Sequence, residues 1–143
     1  MNEIINKSTD YISESSIGLL ITVDIEKRPQ SRYIGPFINY GLNVVFTTSK
    51  ESKKIAEIRD NEYVSLYFSN GDKKSVQING KAEIVENTIE VNDYIERMSE
   101  KSEGTKKWLN SKDFEKYCFI KIITSNVQYT DLANTMKTIR IDI

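Results

Sequence analysis

Histidine is missing from all 143 residues of the chain. Mechanisms that need an imidazole as base, nucleophile partner or metal ligand are therefore excluded. Cysteine is nearly as scarce. Cys118 stands alone, so no internal disulfide can form, and a zinc site would have one thiolate and carboxylates only, a poor set for that metal. Charge of either sign is not in excess: 21 acidic and 20 basic side chains leave a net −1. No broad field favours nucleic acid or an anionic membrane, so any anion site must be built locally. Long apolar runs are missing too; Ile17–Val23 falls far short of the ~20 residues that span a bilayer. No leader-like segment opens the chain, and a cytoplasmic location is the expectation. Proline and glycine are few, at two and six, with no Pro/Gly-rich linker, repeat or low-complexity tract. One domain over residues 1–143 is expected, long enough to bury roughly 70% of its unfolded surface.

What is present is a series of short β-type runs. Ile4, Ile5, Tyr11 and Ile12 recur at helical spacing over 2–15, which predicts a short amphipathic helix. Ile17–Asp24 is apolar and β-branched, hence a strand. Glu26-Lys27-Arg28 turns the chain before Pro29, and a second strand is expected from Gln30 to Ile38. Asn39-Tyr40-Gly41 signals a turn into a third strand, Leu42–Thr48. Thr48-Ser49-Lys50-Glu51 has the form of a capping box and predicts a helix with Ile55 and Ile58 inward and Asn61 at its end. Tyr63–Ser69 alternates, Asn70-Gly71-Asp72 is a hairpin turn, and Ser75–Val85 is a long strand with Gly80 as a bulge or corner. Residues 87–101 predict a helix with Ile89, Tyr94, Ile95 and Met98 as its stripe, and 104–115 a second, holding Trp108 and Leu109. Lys116–Thr124 and Val127–Thr130 read as two further strands, and Thr138–Ile143 alternates as an edge strand would. Strands at hairpin spacing with helices inserted at two points predict a mainly β (α+β) chain, an antiparallel split β-barrel of about 6–7 strands with a few short helices.

The chemistry concentrates in Val45–Lys54, where a strand gives way to a helix. Thr47, Thr48, Ser49 and Ser52 supply hydroxyls at the junction, and Lys50, Lys53 and Lys54 supply ammonium groups. A helix N-terminus carries free N–H groups and about half a positive charge, so these donors could complete a cradle for a phosphate monoester. A plainer reading also stands, with Thr48 or Ser49 as a cap and the lysines as a solvated face. Arg32, within the β-rich run Gln30–Pro36, either reaches solvent at an edge or meets a bound anion.

A family likeness runs through these segments in order: Ile17–Asp24; Arg28-Pro29-Gln30-Ser31-Arg32; Val45-Phe46-Thr47-Thr48; Ser52-Lys53-Lys54 with Ile58 and Asn61; Val64-Ser65-Leu66-Tyr67-Phe68; Asn79-Gly80-Lys81-Ala82-Glu83; Phe119-Ile120-Lys121-Ile122; and Val127-Gln128-Tyr129. In that order and spacing the chain resembles the pyridoxamine 5′-phosphate oxidase-like FMN-binding split barrels, their general stress protein branch in particular, from residue 8 to 131. The resemblance implies an FMN phosphate held by Arg32, Thr47, Thr48, Ser52, Lys53 and Lys54. It implies ring contacts from the main chain of Tyr33, Ile34 and Gly35. Where the family often places a glutamine against the ring, this chain has Ser75, with Gln77 two residues on. The resemblance further implies a homodimer with flavin at the subunit interface and an aromatic group from the second subunit. Trp108 is the candidate, packing within the late helices being its alternative role. Tyr33, Phe37 and Tyr40 are candidates to line a small-molecule substrate pocket, or else are ordinary core and surface aromatics.

The family's true pyridoxamine phosphate oxidases use an arginine and a histidine near the C-terminus. This chain has no histidine and its tail reads Thr138-Ile139-Arg140-Ile141-Asp142-Ile143, so that reaction is not expected, nor those of haem-degrading or histidine-type nitroimidazole-reducing relatives. Four functions remain open: an FMN-dependent oxidoreductase in which the flavin carries hydride and no side chain need act as acid or base; a flavin carrier or sensor without turnover; a deazaflavin-dependent relative; and a ligand-free structural protein.

Overall fold

The computed structural model describes residues 2–134 and 137–143. Its elements are α1 (Asn2–Glu14), β1 (Leu19–Val23), β2 (Pro29–Tyr33), β3 (Phe37–Tyr40), β4 (Asn43–Ser49), α2 (Lys53–Asp60), β5 (Tyr63–Phe68), β6 (Lys74–Val85), α3 (Thr88–Ser99), α4 (Glu103–Leu109), a 3₁₀ turn (Lys112–Lys116), β7 (Tyr117–Asp131) and β8 (Lys137–Asp142). The strands form one antiparallel sheet in the order β2-β1-β5-β6-β7-β4-β3, with β8 on the C-terminal half of β7. The sheet curls without closing, and its ends, β2 and β3, are linked only by Ile34–Pro36.

Alternation explains the barrel core. Leu20 of β1, Val64, Leu66 and Phe68 of β5, and Val76 and Ile78 of β6 all point inward and are buried. β4 breaks the rule, because Val44 to Thr48 are buried on both faces. Val44 and Phe46 join the barrel core, while Val45 packs outward with Tyr94, Met98, Leu109 and Phe119 under α3 and α4. A strand covered on both sides reads as a continuous apolar run. α1 seats Tyr11 and Ile12 in the barrel core, and the Tyr11 hydroxyl donates to Asp72 at 2.8 Å and accepts from the Asn70 N–H at 2.8 Å, tying the helix to the β5–β6 turn.

Three expectations need correction. The strand expected over Gln30–Ile38 is two strands. Pro36 has no N–H to give a ladder and restricts the residue before it, so the chain leaves one edge of the sheet and resumes at the other. The two strands expected over 116–130 are one, β7. Asn79 pairs with Asn126 but Gly80 with Thr124, leaving Ser125 as an extra residue. That bulge flips the inward phase from Ile120, Ile122 and Thr124 to Val127 and Tyr129, which is why the sequence pattern looked interrupted. Finally, Ile89 is 81% exposed, so the stripe of α3 rests on Tyr94 and Met98, with Ile95 partly buried.

Gly80 faces this bulge, and a Cβ there would stand 2.1 Å from the Ile123 carbonyl oxygen. Gly80→Ala should cost at least ~2 kcal/mol, because backbone and not a flexible side chain must move. Gly41, at φ +61° with open space around it, should cost only about 1 kcal/mol on the same change. Denaturant unfolding of the two variants checks the ordering.

Candidate anion-binding site

The strand β2 alternates, and its inward residues are Gln30 and Arg32. Arg32 therefore points inward under α2, although β2 is an edge strand of the sheet. Its guanidinium donates to Glu57 Oε1 at 2.6 Å and to the Thr22 hydroxyl, which itself donates to Glu57 Oε1 at 3.1 Å. Arg32 keeps 24% of its side-chain surface and Glu57 10%. Neither outcome expected for Arg32 anticipated an internal carboxylate. A guanidinium has five N–H donors, so this pairing fixes its plane and leaves donors over.

The helix begins later than the capping-box reading predicted. Thr48 and Ser49 stay in β4, and Ser52 is the cap, its hydroxyl accepting from the Lys54 N–H at 3.2 Å. The Ser52 N–H goes to the Ser49 carbonyl and the Ile55 N–H to the Ser52 carbonyl. Most main-chain donors at the helix start are thus already used, and an anion here would depend on side chains. Lys54 Nζ sits 3.3 Å from Ser52 Oγ. Burial pushes the Lys54 ammonium below the usual lysine value, Arg32 pushes it the same way, and Glu57 pulls it back. Thr47 is buried, and a Cβ on Gly35 would lie 3.7 Å from its hydroxyl oxygen, so the β2–β3 link passes directly over it.

Beside this cluster runs a cleft of about 360 Å³ lined by Arg32, Lys53, Glu57, Arg28, Asp24 and Gln30, among others. Its acids are engaged: Asp24 with Arg28 at 3.1 Å and Gln30 at 3.0 Å, Glu26 with Arg28 at 3.3 Å, Glu57 with Arg32. Lys53 and Lys54 form no ion pair among the described residues. Arg32, Lys53 and Lys54 against Glu57 leave two positive charges, which match a phosphate monoester dianion.

The sequence model of the pyridoxamine 5′-phosphate oxidase family matches residues 5–131. General stress protein 26 of Bacillus subtilis is 31% identical over 131 residues, covering 88% of this chain and 87% of that protein. The chain belongs to the pyridoxamine 5′-phosphate oxidase-like family, on its general stress protein branch. The crystal structure of General Stress Protein 26 from Bacillus anthracis superposes with a TM-score of 0.74 at 25% identity, over 97% of this chain and 99% of that one. A related protein from Clostridium acetobutylicum shares the fold at a TM-score of 0.79 and 17% identity, over 100% and 96% of the two chains.

Around the start of α2 the fold brings together Arg32, Ser52, Lys53 and Lys54, whereas Gly35 and Thr47 adjoin each other, with Thr48 next on β4. The remaining candidates lie elsewhere. Ile34 is buried and its N–H donates to the Gly18 carbonyl at 3.0 Å. Tyr33 points outward, 71% exposed. Ser75 and Gln77 also face outward, and Gln77 donates to Asn79 at 3.0 Å. Tyr33, Leu19, Tyr67, Gln77, Gln128 and Arg140 are successive cross-strand partners and form one outer row. Three strand spacings separate Tyr33 from Gln77, about 14 Å, so the two do not converge within one protomer. Trp108 packs edge-on to Phe114 and Tyr117 with ring centres 5.1 and 5.0 Å away and is not part of the cluster. Of the aromatics expected at a substrate pocket, Phe37 is core, against Phe68 at 5.3 Å. Tyr40 donates to Asp93 at 2.9 Å under the Arg97 guanidinium, and burial and Asp93 push its pKa up to about 12.

Glu57 and Thr22 are the residues that the sequence did not flag. A polar threonine in phase with Leu20, and a glutamate four residues after Lys53, were the available signals. Glu57→Ala should cost about 2 kcal/mol, less than a fully buried pair because Arg32 retains some solvent, and Glu57→Gln should cost less than half of that. Denaturant titration of both variants decides whether the pair is structural as described.

Proposed function

We propose that this chain binds FMN through its phosphate and acts as an FMN-dependent oxidoreductase on a small substrate. The observation that carries the reading is the cluster of Arg32, Ser52, Lys53 and Lys54, with two net positive charges beside an open cleft. Glu57 and Thr22 orient the guanidinium so that its remaining donors can meet a phosphate oxygen. Lys54, already short of counter-charge, gains a partner when a dianion arrives. The Thr47 hydroxyl and the Gly35 main chain adjoin each other, and the proposal extends the phosphate site to them. When bound, FMN supplies hydride transfer, and the protein's part is to hold and orient it. A flavin carrier or sensor without turnover, and a deazaflavin-dependent reductase, share this phosphate chemistry. Absence of histidine keeps pyridoxamine phosphate oxidation outside the proposal.

The proposal includes a cytoplasmic homodimer. The outer row from Tyr33 to Arg140 carries the exposed Tyr33 beside the half-buried Leu19 and Tyr67, an apolar strip that another surface could cover. Gln77 faces outward while Arg32 of the cluster faces inward, and a two-fold copy would offer its own outer face.

FMN titration followed by visible absorbance tests the site. We expect saturable binding at one FMN per chain, at least ~100-fold weaker binding of riboflavin, which lacks the phosphate, and no binding to Lys54→Glu. Equal affinities for FMN and riboflavin would refute the phosphate assignment. Light scattering should give a dimer; a monomer with FMN tightly bound contradicts the shared site. Reduction of bound FMN by a nicotinamide nucleotide separates turnover from carriage.

Binding should also be pH-linked. The Lys54 pKa lies below 10.5 before binding and rises beside a phosphate dianion, so protons are taken up in the alkaline range below 10.5 and affinity falls as pH rises through it. Calorimetry in buffers of differing ionisation heat should show net uptake, lost in Lys54→Met.

A further inference from the structure

The opposite face of α2 borders a second and larger cleft, of about 410 Å³. Ile55 and Arg59, one helical turn apart, face it, whereas Lys53, Ala56 and Glu57 face the cleft beside the cationic cluster. Its floor is apolar: Ile55, Val85 and Phe119 are buried, with Ile84, Val91 and Phe114 partly so. Phe114, Tyr117 and Phe119 give it an aromatic wall, held from behind by Trp108 and stiffened by the Phe114–Phe119 contact at 5.4 Å. The volume lies within the range of small-molecule pockets, and the lining has their character, apolar with a few charged groups.

Those charged groups are Lys50, Arg59 and Glu86. None of the three is in an ion pair among the described residues. Two cations against one carboxylate leave a single positive charge over an apolar floor. The half-buried Cys118 thiol marks how near they stand: burial pushes its pKa up, Lys50 and Arg59 pull it back, and Glu86 adds to the rise. We propose that this cleft binds a small aromatic monocarboxylate, its ring on Phe114, Tyr117 and Phe119 and its carboxylate between Lys50 and Arg59. A phosphate dianion fits less well, because the site has one net charge and few hydroxyl donors. A neutral aromatic leaves both cations unused.

This site does not depend on flavin binding, because different residues of α2 form it. Cys118, the chain's single cysteine, provides a direct readout. Calorimetric titration of the purified full chain with 2-naphthoate should give one site, and saturating 2-naphthoate should slow alkylation of Cys118 by iodoacetamide, followed by intact mass. We expect 2-naphthamide to bind at least ~10-fold more weakly, and Arg59→Glu to weaken 2-naphthoate by at least ~10-fold, the loss of about 1.4 kcal/mol from one charge contact. Lys54→Glu, across the helix, should bind 2-naphthoate as the parent does. No saturable heat at millimolar 2-naphthoate overturns the proposal, as do equal affinities for acid and amide. Loss of binding in Lys54→Glu would place the probe in the other cleft and overturn it too. Should Cys118 prove unreactive in the free chain, the calorimetric comparison of Arg59→Glu with the parent decides alone.

Discussion

The pairing of β6 with β7 is the constraint on which the other elements depend. Twelve residues of β6 run against β7, and every other strand reaches the sheet through one of them: β5 and then β1 and β2 through β6, β4 and β3 through the first half of β7, β8 through its second half. At the bulge the two backbones approach so closely that only glycine fits at position 80. The Ser125 hydroxyl donates to the Asn79 carbonyl at 3.0 Å, so a polar group bared by the irregularity finds a partner. The phase change there gives both halves of β7 an inward apolar face although each half borders a different strand.

From that frame follows the placement of the cationic cluster. α2 leaves β4, packs against β1 and β6 and lays Glu57 on Arg32 of the edge strand β2. Because a partly buried guanidinium needs a counter-charge, a carboxylate holds its geometry before any ligand is present. The same helix turns Ile55 and Arg59 toward the helical layer that α3, α4 and the 3₁₀ turn build over β4 and β7. One short helix thereby separates two clefts of different electrostatic character.

Much of this was legible in the residues. Alternation in Tyr63–Phe68 and the run Val44–Phe46 announced strands whose faces are set by packing, and Thr48–Glu51 announced a helix after β4, its cap placed four positions ahead of Ser52. Legibility failed where tertiary partners decide. Nothing local says that Arg32 would find Glu57, 25 residues on. The capping box at Thr48 lost to Ser52 because Thr48 is held in the ladder opposite Cys118. The bulge at Ser125 disguised one strand as two, and Ile89 matched a helical stripe whose neighbouring surface ends before reaching it.

The link Ile34–Pro36 has a consequence for how the sheet opens. β2 and β3 are the two outermost strands, yet only three residues join them, and four Cα steps reach at most ~14 Å. Neither border can drift from the body by more than that slack unless the other follows. Fraying at one margin is therefore coupled covalently to fraying at the other, and the two should behave as a single cooperative unit. A molecule gripping both margins at once would fasten the whole circumference.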